Sequence, residues 1–249
     1  NVSQIGLSPF SACTQLTEIN VDEANPYFSS LDGVLTDKNR TTIVAYPAGK
    51  GKRYIIPDGI TKIGTHSFFA CYPITYIHIP NSVKTIELFA FASCTDLDTV
   101  ILGNSVDSIE VAAFRINDRL KTIYSMNPIP PAAHTGAFDS FNSFFIQCTL
   151  HVPAGSLQAY KNAEVWKNFK NIVENDFTGI ERSTPNKAKI FGNKNSIAFR
   201  NIEPGTDISI YDTTGKCIKT FAVDGDSEIP LPSGIYLIKY AGRTVKIIL

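Results

Sequence analysis

The chain has 249 residues, 23 basic and 23 acidic side chains and 43% hydrophobic residues, which suits one or two domains with a buried core. Balanced charge and 11% aromatics exclude a disordered chain. Neither half carries a basic footprint (13 basic and 15 acidic residues through Glu174, 10 and 8 after it), which excludes a dedicated nucleic-acid binder. No apolar run approaches the roughly 18 residues of a membrane span. No charged stretch followed by an apolar one marks a signal peptide after Asn1; a secreted protein whose leader has been removed would read the same. Cys13, Cys71, Cys94, Cys148 and Cys217 are odd in number and form no CxxC pair, which argues against a disulfide-built scaffold and a four-thiolate zinc site.

In chain order, Phe10, Cys13, Leu16, Ile19 and Val21 form a partial first copy of a pattern that becomes complete at Ile56. An insertion over about residues 25–55 separates them, and its Asp32-Gly33 and Asp37-Lys38-Asn39 turn signals predict a β-hairpin excursion. From Ile56-Pro57 the pattern restarts at Ile79-Pro80 and at Leu102-Gly103, 23 residues apart each time. The columns run in register: Ile60, Val83, Val106; Ile63, Ile86, Ile109; Phe68, Phe91, Phe114; Cys71, Cys94, Asn117; Ile74, Leu97, Leu120; and Ile77, Val100, Ile123.

Each unit reads as one coil of a solenoid, with strand-like stretches at Val83–Ile86 and Leu97–Leu102. Stacking puts Phe68, Phe91 and Phe114 in an aromatic ladder, with Cys71 and Cys94 as small residues at an interior corner. A Cys71–Cys94 disulfide is geometrically possible, and free buried thiols are preferred. Asn117 is read as hydrogen-bonding its own loop. After Asn127-Pro128-Ile129-Pro130-Pro131 the period breaks, and an amphipathic stretch from Ser156 to Phe169, carrying Trp166, reads as a helical lid on the last coil.

The run Ile-Pro-x-x-Val-x-x-Ile…Phe-x-x-Cys-x-x-Leu-x-x-Ile resembles the BspA-like leucine-rich repeats of bacterial surface proteins. So do Asn25-Pro26-Tyr27-Phe28, Tyr46-Pro47-Ala48-Gly49-Lys50 and the terminal Val152-Pro153-Ala154-Gly155-Ser156-Leu157. Ser82 and Ser105 stand where the common repeat has Asn or Cys, so ordinary horseshoe geometry is not implied. Further on, Ile208–Tyr211, Cys217–Phe221, Ile235–Tyr240 and Thr244–Leu249 are strand candidates joined by turns at Asp212–Lys216 and Ala241–Arg243. This region is similar to the β-sandwich tails of type IX secretion substrates. Ile190-Phe191-Gly192-Asn193 replaces the Tyr-Pro-Asn-Pro-like opening of such tails, and an anchoring or spacer module fits equally. The fold expected is mainly β: a parallel leucine-rich-repeat solenoid over residues 1–174, with the inserted hairpin and a capping helix within about 127–174, then a small antiparallel β-sandwich over 175–249.

No catalytic constellation is present in the motifs. His66, His78, His134 and His151 are scattered, with His78 expected to face solvent. No nucleophile elbow, phosphate loop or dinucleotide fingerprint occurs. Asp22-Glu23 with Asn25, and Asp224-Gly225-Asp226, are acidic turns below the ligand density of a calcium loop, and Lys50-Gly51-Lys52-Arg53 is a small basic cluster. No metal or cofactor is expected. Alternation along the strands turns three columns outward: Thr17, Thr75, Asp98, Lys121; Glu18, Tyr76, Thr99, Thr122; and Asn20, His78, Ile101, Tyr124. Asp98 and Lys121 are expected to pair, and Tyr76, His78, Ile101 and Tyr124 to form a semi-aromatic exposed patch. The resemblance implies a monomeric, non-enzymatic surface or secreted adhesion module that binds a host protein or glycan through this face, with no nucleic-acid partner and no transmembrane segment. A structural spacer without a ligand of its own is the alternative.

Overall fold

The computed structural model describes residues 2–138, 142–177, 189–193, 196–200, 202, 206–223, 227–240 and 243–249. They fall into two compact units, Asn1–Phe177 and Thr178–Leu249. The Asp224-Gly225-Asp226 turn and the Ala241-Gly242 step lie outside the described residues.

Two sheets run through the first unit. One is built, in spatial order, from β1 (Phe28–Leu31), β2 (Val34–Asp37), β3 (Thr42–Ala45), β5 (Lys62–Ile63), β7 (Thr85–Ile86), β9 (Ser108–Ile109) and β11 (Ala132–Ala133). The other runs from β13 (Asn171–Asn175) through β12 (Thr149–Pro153), β10 (Thr122–Ser125), β8 (Thr99–Leu102) and β6 (Tyr76–His78) to β4 (Arg53–Ile55). Only β1–β2 and β2–β3 pair antiparallel; every other neighbour is parallel, as stacked coils require. The strands β5, β7 and β9 are shorter than the apolar pattern suggests, each placing a single inward residue before the chain turns.

Between the sheets lies one continuous core of repeat columns, with Ile60, Ile63, Phe68, Val83, Ile86, Phe91, Leu97 and Val100 completely shielded from solvent. Phe68, Phe91 and Phe114 stand in a single row, ring centroids 4.7 and 5.2 Å apart, and Phe138 extends it at 5.5 Å. At the other end Tyr46 stacks on Phe68 at 4.8 Å.

The corner that carries each ring uses two left-handed residues four apart: His66 and Ala70, Phe89 and Ser93, Ala112 and Ile116. Each such non-glycine residue costs on the order of 1–2 kcal/mol. Hydrogen bonds between coils offset that cost, from the Phe68 amide to the Ala90 carbonyl, Ala70 to Ala92, Phe91 to Ala113 and Ser93 to Arg115. The coils are close enough that a Cβ added at Gly103 would collide with the Pro80 carbonyl.

The cysteine column has a specific task. Cys94 Sγ lies 3.1 Å from the Phe68 carbonyl, Cys71 Sγ 3.8 Å from the Tyr46 carbonyl, and Asn117 Nδ2 donates to the Phe91 carbonyl at 3.0 Å. Each side chain thus reaches back to the ladder residue of the preceding coil. For Asn117, read as hydrogen-bonding its own loop, the side-chain bond to Phe91 crosses to the preceding coil. Cys71 and Cys94 are free and buried.

Three further differences have physical causes. Residues 42–55 are not part of an excursion: β3 and β4 sit in the two main sheets, so this stretch is a coil, and the hairpin proper is β1–β2. Its strand spacing hides it, since Ile43 precedes its partner Ile63 by 20 residues while Ile63 precedes Ile86 by 23. The first copy keeps the corner, with Ser8 and Ala12 left-handed and turn bonds from Cys13 to Phe10 and from Leu16 to Cys13, yet Cys13 is exposed and Phe10 only half-buried. Finally, the lid is not one helix. Ala163 leaves the helix in an extended conformation and Val165 sits at the centre of a γ-turn (φ 71°, ψ −56°), which splits the stretch into α2 (Leu157–Asn162) and a short 3-10 turn, Trp166–Asn168. A further helix, α1 (Asn142–Gln147), brings Phe144 and Phe145 to the same end. Phe144, Trp166 and Phe169 close over Phe138 at 5.6–5.7 Å, Trp166 Nε1 donates to the Pro131 carbonyl at 2.7 Å, and the Tyr160 hydroxyl donates to the Asn127 carbonyl at the same distance.

The second unit holds two antiparallel sheets, β14 (Lys189–Asn193), β15 (Ser196–Arg200) and β18 (Ser227–Pro230) in one, β17 (Cys217–Ala222), β16 (Asp207–Tyr211), β19 (Ile235–Tyr240) and β20 (Arg243–Ile248) in the other. Ile197 and Phe199 from the first meet Ile208, Ile210, Ile238 and Ile247 from the second in a shared core. The turn after β16 is fixed by Asp212, whose Oδ1 accepts from the Thr214 and Lys216 amides, with Gly215 at φ 83°.

Candidate functional site

The outward face of the sheet β4–β6–β8–β10–β12–β13 carries two side-chain rows fixed by parallel register. The first is Arg53, Tyr76, Thr99, Thr122, Thr149 and Asn171; the second is Ile55, His78, Ile101, Tyr124, His151 and Val173. Lys52, Thr75, Asp98 and Lys121 form a third line at the strand entrances, linked by main-chain bonds from each amide to the preceding carbonyl.

The structure brings Tyr76, His78, Ile101 and Tyr124 together on this face but does not leave them all exposed. Tyr76 is 7% and Ile101 5% accessible, and His78 and Tyr124 are half-buried. The cause is lateral packing. The Arg53 guanidinium lies over the Tyr76 ring at 3.9 Å. His151 stacks on Tyr124 at 4.5 Å, and Phe177 meets the same ring edge-on at 6.4 Å. Ile101 sits between His78 and Tyr124 in the register. One face of each tyrosine ring is therefore occupied by a neighbour, beside a row of half-buried threonines, Thr99, Thr122 and Thr149.

Asp98 and Lys121 are neighbours through the main chain, but no ion pair joins them among the described residues. The Asp98 carboxylate accepts instead from the Thr99 hydroxyl at 2.8 Å. Charge pairing between coils occurs elsewhere, at Arg119–Asp96 (2.8 Å), Lys62–Glu87 (3.1 Å) and Lys84–Asp107 (3.8 Å). The columns drawn through Thr17, Glu18 and Asn20 end at β6, because Lys52, Arg53 and Ile55 occupy the next places.

Burial disfavours charge on the two face histidines. The pKa of His78 is lowered by desolvation, against the raising influence of Asp58, and its Nδ1 is enclosed without a hydrogen-bond partner. The pKa of His151 is lowered for the same first reason, while its Nδ1 meets Asn175 Nδ2 at 2.7 Å. Among the described residues no three His, Cys, Asp or Glu side chains converge as metal ligands. The Asp22–Asn25 turn is organised by an internal cation: Lys38 Nζ donates to the Glu23 carbonyl at 2.8 Å and to the Asn25 carbonyl at 2.6 Å. The basic cluster is likewise dispersed, Lys50 pairing with Asp32 at 3.2 Å and Arg53 covering Tyr76.

Arg53, His151, Asn175 and Phe177 were not legible as site residues. Arg53 had a signal, since it precedes Tyr76 by the same 23 residues that separate the other coils. His151 follows Tyr124 by 27 residues, because α1 lengthens that coil, and no fixed period finds it.

Residues 47–150 match the BspA type leucine-rich repeat region in six copies. No curated protein matches the chain. Among solved structures, the pneumococcal vaccine antigen PcpA is 17% identical, with 64% of this chain and 50% of that one covered and a TM-score of 0.43. A leucine-rich repeat protein from Eubacterium ventriosum is 24% identical over 59% of this chain and 38% of its own, with a TM-score of 0.47. A leucine rich cell surface protein from Faecalibacterium prausnitzii is 19% identical over 73% and 48%, with a TM-score of 0.40. The chain thus spans half the length of these structures or less. The matched residues 47–150 include Phe68, Phe91, Phe114 and Phe138 of the ladder and the strands β4, β6, β8 and β10.

Proposed function

We propose that the protein is a non-enzymatic interaction module at the exterior of a bacterial cell, with the outward face of the β4–β13 sheet as its docking surface. The observation that carries the reading is the face itself: a parallel sheet whose threonine row, Thr99, Thr122 and Thr149, is held in register over a fully buried core and lies beside the aromatic row. The partner is a protein. Sugar recognition stacks on open aromatic faces, whereas one face each of Tyr76 and Tyr124 is taken by Arg53 and His151. Hydroxyls and ring edges on a preorganised sheet suit a polypeptide surface, where little side-chain entropy is lost on docking. The repeat type supports an extracellular setting through its resemblance to surface proteins, and the two-sheet tail serves as anchor or spacer.

The test is an array of extracellular matrix and cell-surface proteins probed with the full chain and with Thr122→Arg, which places a long cation in the centre of the face while leaving the core untouched. Binding by the parent that falls at least about tenfold in the variant supports the reading. Equal binding by both moves the site off this sheet. Binding by neither leaves the spacer as the function.

A further inference from the structure

Unpaired strand edges invite association and are normally covered, shortened or blunted. Most edges here are. Ser30 ties β1 to the N-terminal segment, its hydroxyl accepting from the Val21 amide and donating to the Ile19 carbonyl. β11 has two residues, β4 has three and follows Lys52, and Glu174 of β13 accepts from the Leu157 amide. In the second unit β18 ends in Pro230, and β14 closes on β20, where a Cβ at Gly192 would lie 2.8 Å from the Ile248 carbonyl. β17 is the exception. It has six residues, pairs only with β16 among the described residues, leaves Cys217, Ile218, Lys219, Thr220 and Ala222 exposed, and carries one charge.

We infer that β17 is a self-association edge: two copies of the chain pair antiparallel through Cys217–Ala222 about a twofold axis at Thr220, joining their four-stranded sheets into one.

The register follows from hydrogen-bond parity. The Val223 amide donates to the Thr206 carbonyl, and the Ser209 and Thr220 hydroxyls lie 3.3 Å apart, as in a close pair without main-chain bonds. Alternation then turns the main-chain groups of Thr220 and Ala222 away from β16. Ile218 is the extra residue of the bulge, between Lys219 opposite Ile210 and Cys217 opposite Tyr211, and Lys219–Ala222 is regular. Every residue-centred twofold satisfies this parity, and the axes at Lys219, Thr220 and Phe221 centre on the regular stretch. An axis at Lys219 sets two ammonium groups directly opposite each other, which is unfavourable. An axis at Phe221 leaves Ile218 without a partner. An axis at Thr220 sets Thr220 against its own copy, Ile218 against Ala222 and Lys219 against Phe221, a ring that Lys219 Nζ already approaches at 5.6 Å within one chain. A single edge buries less than the roughly 1,200 Å² of a stable complex, so the dimer is weak.

Sedimentation velocity on the full chain, from about 10 μM to about 1 mM, tests the inference. The dimer fraction should rise with concentration. Thr220→Lys and Thr220→Glu, each exposed and each placing like charges across the axis, should weaken association at least about tenfold at low salt. An equimolar mixture of the two should restore it. Ile248→Lys, at the opposite edge of the same sheet, should associate as the parent does. A parent that stays monomeric at the highest concentration, single variants that dimerise normally, or a mixture that remains monomeric would each overturn the inference.

Discussion

The middle coils and the N-terminal coil have the same corner and different fates. His66/Ala70, Phe89/Ser93 and Ser8/Ala12 adopt the same left-handed pair, and the turn bonds Cys13 to Phe10 and Cys71 to Phe68 are equivalent. Yet Cys71 and Cys94 are at most 2% accessible while Cys13 is exposed. The corner is a local property of the sequence. Burial depends on what packs against the coil, which the corner does not set.

The largest test of this contrast is ring removal. Phe91→Ala takes a fully buried side chain from between two stacked rings and should cost about 3–5 kcal/mol, whereas Phe10→Ala should cost less than about 1 kcal/mol, both read from urea midpoints at constant m. Next, Asn117→Leu strands the buried Phe91 carbonyl and should cost about 1–3 kcal/mol by the same measurement. If it costs nothing, the column is merely small-residue packing.

A third test uses thiol chemistry. Burial pushes the Cys71 and Cys148 thiols up to about 12 and Cys94 well above its ordinary value. At pH 8 a thiol reagent should label Cys13 and Cys217 in the native protein and the other three only on unfolding; rapid native labelling of Cys94 would contradict the buried column.

The smallest effect is electrostatic. Burial alone would raise the pKa of Glu87, but hydrogen bonds from Lys62 and from the Thr65 hydroxyl and amide outweigh it, and the net shift is downward. A lowered carboxylate contributes stability above its unfolded value near 4.5, lost as pH falls through the folded one. Glu87→Gln should therefore cost about 1 kcal/mol at pH 7 and progressively less as pH falls through the folded pKa, by urea titration.

Legibility tracked period. Wherever the 23-residue spacing holds, the columns place Phe68, Phe91 and Phe114, and they set Tyr76 beside Thr99 and His78 beside Ile101. Where spacing changes, the reading failed: coil 42–55 passed for an excursion, and His151 and Phe177 were invisible. Direction was legible and exposure was not, because alternation says which side of a sheet a residue takes, whereas Arg53 covering Tyr76 depends on two long side chains meeting across strands. In the tail, the four strands of one sheet stand out by alternation, while in the other β14 carries Gly192 and β18 ends in Pro230.

The most direct test of the stacked-coil account is a double-mutant cycle on Phe91→Leu and Phe114→Leu, residues 23 apart whose rings lie 5.2 Å from each other and 10° from parallel. Stacked coils predict a coupling energy of about 0.5–1.5 kcal/mol. Strict additivity within about 0.3 kcal/mol would mean that the two rings do not touch, and the solenoid could not be built this way.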